Sequence, residues 1–289
     1  MEGGKASRTA FATAHARAYH QMAPEPRVFT DPLAVSITGV TAAELADQSV
    51  AATAGLSSTE AAFHRVRRLF LAARSRFAEE TVADAVADGV RQVVILGAGL
   101  DTFAYRNPDP ALRVFEVDHP ATQAWKRQLL AAAGIAVPDS LTFAPVDFES
   151  ETLAAGLASA GFARDQPAAF VWLGVVMYLS REAIQSTLRY MAAQATPVRL
   201  AFDYIPPAAD AAPEHRAQLQ ARADRLAALG EPLLSHFTAA ELAAELRTAG
   251  FDDVEDLSAL ELLAGYVGQA ELGPDPERLH TRVARARRT

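Results

Sequence analysis

From residue 90 onward, short apolar runs alternate with stretches whose apolar positions recur at helical spacing. The runs fall at about 91–96, 112–117, 141–146, 169–174 and 198–204. In the first, Val93-Val94-Ile95-Leu96, four apolar residues in succession read as a strand buried on both faces. Helical stretches at 119–133, 150–160 and 180–193 separate the later runs. Such alternation predicts an α/β fold, a doubly wound, mostly parallel sheet with helices on both faces. The punctuation agrees. Pro120 opens a helix that Gly134 and Pro138 close, and Thr238-Ala239-Ala240-Glu241 is a capping-box pattern for a helix ending at Ala249 before Gly250.

Outside that alternation the longest helical pattern spans 60–88, where Phe63, Val66, Phe70, Ala73 and Phe77 form one apolar stripe. Arg65, Arg68 and Arg76 point away from the stripe and read as a solvated face. Arg67 and Arg74 border it, where an arginine can bury its stem and send its guanidinium into a cleft. Arg74 is therefore either a surface arginine or a cation placed to reach a ligand. Ala10 to His20 reads as a helix stopped by Pro24-Glu25-Pro26, Thr30-Asp31-Pro32 as a helix start, and 51–59 as a mobile loop. Pro206-Pro207 ends a strand, and the charged, alanine-rich helix from Ala208 to Leu229 belongs to an insertion, 205–237, that reads as a lid. Phe251 to Leu257 is expected as a strand, Leu260 to Val267 as a helix rather than a strand, and Leu279 to Ala286 as the last strand. Arg285-Ala286-Arg287-Arg288 is expected as a solvated end. The expected organisation is an N-terminal helical cap over 1–88 that covers the substrate, then a nucleotide-binding domain over 89–289.

Composition narrows the function. The 289 residues are half hydrophobic, enough for a sizeable core, yet no run is long enough to span a membrane. A net charge of −8 argues against a general nucleic-acid binder. The absence of cysteine excludes disulfides, thiol catalysis and cysteine-based zinc sites. No metal site is expected. The residues after Met1 lack a signal-peptide core, so a cytoplasmic protein is expected, as monomer or homodimer.

Chemistry concentrates where the first apolar run stops. Gly97 and Gly99 flank Ala98 in a sharp turn that brings bare backbone close to a ligand. Asp101 and Thr102 follow as N-cap candidates for a helix near Phe103. The next strand ends in Asp118, 21 positions after Gly97, the reach expected for a carboxylate on ribose hydroxyls. A tight turn with no ligand is the other reading of the glycines, and the strand-terminal acid weighs against it. Thr102 stands where a dinucleotide fingerprint wants a third glycine, which favours a cofactor without a pyrophosphate. Asp147 and Phe148 offer an acceptor and a stacking face for a purine, or else a helix cap and a core ring.

These residues carry a resemblance. Gln92 to Thr102 with Tyr105-Arg106, then Phe115-Glu116-Val117-Asp118-His119-Pro120 with Lys126, then Val175-Val176-Met177-Tyr178-Leu179, resemble three motifs of the leucine carboxyl methyltransferase family. Phe29-Thr30-Asp31-Pro32-Leu33-Ala34 is similar to the N-terminal segment of its bacterial members, among them polyketide carboxyl O-methyltransferases of the tetracenomycin C type. The resemblance covers roughly 10–205. It implies a class I, Rossmann-like fold binding S-adenosylmethionine. It implies that Gly97, Ala98 and Gly99 face the methionine part, Asp118 the ribose, and Asp147 and Phe148 the adenine. It also implies that Arg74, and more weakly Arg17, meet the cofactor carboxylate. One position departs: the family usually carries Trp-Glu-Gly where this chain has Trp172-Leu173-Gly174, so a carboxylate near the sulfonium is missing at Leu173.

The expected reaction is O-methylation of a carboxylate or phenolic hydroxyl on a small natural-product acceptor of secondary metabolism. A carboxylate is already a nucleophile and needs only a cation or hydroxyl to hold it, with Tyr178, Tyr204 and Arg17 as candidates. A phenol needs a base, with His20, His119, His215 and His236 as candidates, none visibly paired with an acid. The rivals are a cofactor-binding protein that does not methylate and a nicotinamide-dependent oxidoreductase.

Overall fold

The structure, a computed structural model, describes residues 8–24, 26–147, 150–272 and 275–289. Phe148 lies outside the described residues. Three helices come first: α1 (Arg8–Met22), α2 (Ala42–Thr53) and α3 (Ser58–Ala87). Then β1 (Gln92–Leu96), the single turn α4 (Phe103–Arg106), β2 (Arg113–Asp118), α5 (Pro120–Ala132), β3 (Leu141–Pro145), α6 (Leu153–Ser159), β4 (Pro167–Trp172), α7 (Arg181–Ala192) and β5 (Ala195–Tyr204) alternate. The chain continues through α8 (Pro213–Ala228), α9 (Ala239–Ala249), β6 (Asp253–Ser258), α10 (Ala259–Val267) and β7 (Arg282–Arg288).

The strands form one sheet in the order β3-β2-β1-β4-β5-β7-β6. Pairings from β3 to β5 are parallel, and β7 runs antiparallel between β5 and β6. Successive strand residues alternate between two helical layers. Val94, Phe115, Phe170 and Leu200 pack against Leu157 of α6, Ile184 and Leu188 of α7 and Leu246 of α9. Val93, Ile95, Val114 and Ala201 pack against Ala78, Val82 and Ala85 of α3. From β1 the chain winds outward through β2 and β3, then returns to lay β4 on the other side of β1. This reversal opens a crevice above the carboxyl ends of β1 and β4, the place where open α/β sheets bind ligands.

Three expectations need correction. The expected loop 51–59 shrinks to 54–57: its first residues end α2 and its last begin α3, whose N-cap Ser57 forms a capping box with Glu60. After Asp31 the chain makes turns and a short 3-10 segment, Ser36–Thr38, rather than an α-helix. The arginine-rich end is an internal strand. Its outward arginines meet acids, Arg285 on Glu255 and Arg287 on Asp253 at 2.6 Å, while Ala284 and Ala286 are buried. Among the described residues, no helix is long and apolar enough to cross a membrane.

Candidate active site

The turn after β1 is held from beneath. The Gly97 and Ala98 N–H groups donate to the Val117 carbonyl at 2.8 and 3.2 Å, locking the turn to the end of β2. Gly97 has φ +62°, and a Cβ there would stand 2.3 Å from Val175 Cγ2, so only glycine fits. The Gly99 N–H donates to Asp118 Oδ2 at 2.6 Å, and the His119 N–H to Oδ1 at 2.7 Å. Each carboxylate oxygen keeps lone-pair capacity for a ligand hydroxyl. Burial pushes the Asp118 carboxyl above its ordinary pKa in spite of these donors. Asp101 accepts the Phe103 N–H at 2.8 Å, while Thr102 at the N-cap makes no side-chain cap.

These groups floor a cavity of about 680 Å³, within the range of small-molecule sites. Asp147 and Leu173 line its walls, as do Arg17 of α1 and Arg74 of α3. Tyr178 and the segment 230–234 cover it on the outer side. Thr9 Oγ1 donates to Glu231, joining α1 to that cover.

The two arginines are anchored by acids that the sequence reading did not single out. Arg74 Nη1 pairs with Asp203, whose Oδ1 accepts the Gly174 N–H. Arg17 Nη2 donates to Asp31 Oδ2 at 2.6 Å and to Thr102 Oγ1 at 3.0 Å. Burial alone would raise the Asp31 carboxyl; Arg17, Arg106 and the Thr102 hydroxyl hold it below the ordinary range. Both anchors leave something over. Arg17 Nε and Arg74 Nε are buried without a hydrogen-bond partner among the described residues. Two buried donors left without partners are costly, and both side chains also line the cavity. The available signal for Asp203 was an acid near the end of an otherwise apolar strand; for Asp31 it was the proline turn just after α1, which masked a buried carboxylate folded back onto that helix.

Several candidates lie elsewhere. Tyr204 is fully buried beneath β6, its hydroxyl donating to Asp256 Oδ2 at 2.5 Å, and does not line the cavity. His20 does not line it either. Arg68 Nη1 faces His20 Nδ1 at 2.9 Å and the Phe29 N–H faces Nε2 at 3.4 Å, so donors meet both ring nitrogens and disfavour a charged ring. Burial, then Arg68 and Arg27, depress its pKa to about 4. Arg68 itself is buried rather than solvated, because α1 covers that face of α3 and stacks Tyr19 over its guanidinium. Arg65 holds the Glu271 carboxylate and backbone carbonyl. His215 does pair with an acid, Asp275 at 3.1 Å, away from the cavity. His236 lies outside the cavity lining as well. Among the described residues, His119 is the one histidine lining it.

The strand order, the crevice at its reversal, and the glycine turn facing a strand-terminal acid define a class I S-adenosylmethionine-dependent methyltransferase, with S-adenosylmethionine as its cofactor. More narrowly, the chain belongs to the leucine carboxyl methyltransferase family, whose model matches residues 10–192. It is 31% identical to YktD of Bacillus subtilis (strain 168), a protein provisionally named an S-adenosyl-L-methionine-dependent methyltransferase, over 89% of this chain and 92% of that one. A relative from Mycolicibacterium paratuberculosis (strain ATCC BAA-968 / K-10), provisionally named in the same way, is 41% identical over 53% of this chain and only 49% of its own length. A DUF574-family protein from Streptomyces avermitilis MA-4680 shares the fold at 18% identity, with a TM-score of 0.56 over 96% of this chain and 97% of that one.

Proposed function

We propose that this methyltransferase is an O-methyltransferase for a carboxylate on a small natural-product acceptor. The observation that carries the choice of a carboxylate is at His119. Its Nδ1 accepts the Ala121 N–H at 3.1 Å as the N-cap of α5, which puts the ring proton on Nε2. The histidine lining the cavity therefore presents a donor and has no free lone pair to accept a phenolic proton. A carboxylate acceptor needs no base, because it is ionised at neutral pH.

The remaining roles follow from position. Asp118 would hold the ribose, the turn Gly97-Ala98-Gly99 would run beside the methionine part, and Asp147 would border the adenine. Arg74 and Arg17 would meet the cofactor carboxylate with the nitrogen atoms left over from Asp203 and Asp31. Bound there, S-adenosylmethionine supplies an electrophilic methyl group. The chain's own part is to orient and to exclude water. Burial keeps the Tyr178 phenol protonated well above neutrality, so it acts as a hydrogen-bond donor at the acceptor side. In this reading residues 1–88 act as the cap and 205–237 as a lid, and Leu173 makes an apolar wall where relatives place a carboxylate.

The test uses S-adenosylmethionine labelled in the methyl group and a panel of aromatic carboxylic acids, each matched with a phenol of the same skeleton. Transfer should give an ester, whose label leaves as methanol in mild alkali. Alkali-stable label would mean a phenolic ether and overturn the carboxylate choice. Cofactor binding with no transfer to any acceptor would favour a non-methylating protein.

A further inference from the structure

Ion pairs run in a line from α3 to the cavity. Glu79 of α3 pairs with Arg106 of α4, and Arg106 with Asp31 at 3.2 Å. Asp31 pairs with Arg17 of α1 at 2.6 Å, and Arg17 with Asp101 of the glycine turn at 3.7 Å. The signs alternate, so three carboxylates meet two guanidinium groups and the line carries one negative charge too many. Asp31 is fully buried, and the Arg17 and Arg106 side chains are 8% and 13% exposed. Asp101 is the end that opens on the cavity, while Glu79 at the other end does not line it.

Among the described residues, four acids line the cavity: Asp101, Asp118, Asp147 and Glu231. Asp101 stands beside Arg17, one of the two arginines that would meet the cofactor carboxylate. Its Oδ1 accepts the Phe103 N–H at 2.8 Å. Its Oδ2 is too far from Arg17 Nη1 for a hydrogen bond, which leaves that oxygen room for a closer donor. An amino acid carries its carboxylate and its ammonium on one carbon. A cation and an anion 3.7 Å apart on one cavity wall match that zwitterion, cation to carboxylate and anion to ammonium. The ammonium would also supply the positive charge that the line lacks, and a largely buried charge is costly until it is paired. We propose that Asp101 binds the ammonium group of the cofactor's amino-acid end, while Arg17 beside it binds the carboxylate. This rests on the cofactor placement given above and adds to it the group that reads the amino nitrogen. The sulfonium is two methylene groups further from the carboxylate, so the ammonium is the cation that meets Asp101.

S-adenosylhomocysteine and its deaminated analogue, which keeps the carboxylate, separate the two charges. Calorimetry is run with both, and with S-adenosylmethionine, on the wild type and on Asp101→Asn. The amide oxygen of asparagine can still accept the Phe103 N–H, so the turn should hold. The wild type should bind S-adenosylhomocysteine more tightly than the analogue. The variant should lose about tenfold or more in affinity for S-adenosylhomocysteine, as expected for a lost hydrogen bond between charged groups. It should bind the analogue at least as well as the wild type does, because the analogue's carboxylate no longer faces an acid. A merely structural role would weaken both ligands alike, and that result overturns the proposal. So does a wild type indifferent to the amino group. A variant that weakens S-adenosylmethionine but not S-adenosylhomocysteine would place Asp101 at the sulfonium and overturn it as well. If the wild type bound neither S-adenosylmethionine nor S-adenosylhomocysteine, the cofactor reading would fall and the proposal with it. Tight binding that Asp101→Asn leaves unchanged overturns the proposal alone.

Discussion

At the scale of single residues, Arg74 is held by a neighbour and still has a nitrogen to spare. Asp203 takes Nη1, and Nε is left buried without a partner. A guanidinium offers donors along two edges, so one arginine can serve a structural acid and a ligand carboxylate at once, while an ammonium cannot reproduce that fork. Arg74→Lys is expected to keep the charge opposite Asp203, and with it the fold. It should weaken S-adenosylmethionine by about 1.5–3 kcal/mol, the range of a hydrogen bond to a charged group. Methylthioadenosine, which lacks the carboxylate, should bind as before. Calorimetry with both ligands decides, and an equal loss for the two would remove Arg74 from the carboxylate. Arg65 is no blank control on the same helix, since it holds the segment around Glu271.

At the scale of elements, β2 and α5 are fastened by an ion pair that no water reaches. Lys126 Nζ meets Glu116 Oε2 at 2.7 Å, with both side chains essentially unexposed. Burial pushes the Glu116 carboxyl up to about 7 even against that lysine. Glu116 is therefore committed to the core and not a second ribose acid. Removing one partner of such a pair leaves a buried charge, so Lys126→Met is expected to cost about 3–5 kcal/mol. Adding Glu116→Gln should restore most of that loss. Urea denaturation of the two variants measures it, and a double variant no better than the single would mean that the pair adds real stability.

The same scale explains what could be read from the chain. The stripe on α3 and the apolar runs of β1 to β5 were legible because one face, or both, must be buried. Arg68 was misread because a helical wheel knows only its own helix, and α1 closes over the face it called solvated. The arginines of β7 were misread because charge alternating with alanine looks like solvated chain until a strand of Asp253 and Glu255 is laid beside it. The glycine turn and Asp118 were visible as local sequence. Asp203 and Asp31 were not, since their significance is a contact across 129 and 14 positions of chain.

For the molecule as a whole, acid is expected to loosen the packing of α1 on α3. His20 titrates near 6.5 when exposed and near 4 in the fold, so the unfolded chain binds more protons between those values. Stability then rises with pH across that window and is lost as pH falls from 6.5 toward 4. His20→Asn keeps an acceptor for Arg68 but cannot titrate. The wild type should lose on the order of 2 kcal/mol relative to this variant across the window. Melting curves for the two proteins at matched pH give the difference directly. A constant gap would show that His20 is not the group that titrates.

The antiparallel seventh strand also has a consequence for how the chain comes together. During synthesis β5 and β6 both emerge before the strand that lies between them. Until residues 282–288 arrive, β5 presents an open edge and β6 has no neighbour at all. The five parallel strands can assemble as the chain lengthens, yet the sheet is sealed only by the last strand made. A nascent chain thus carries its crevice before it carries a closed sheet, and the exposed edge of β5 is where a stalled or truncated chain would stick to others.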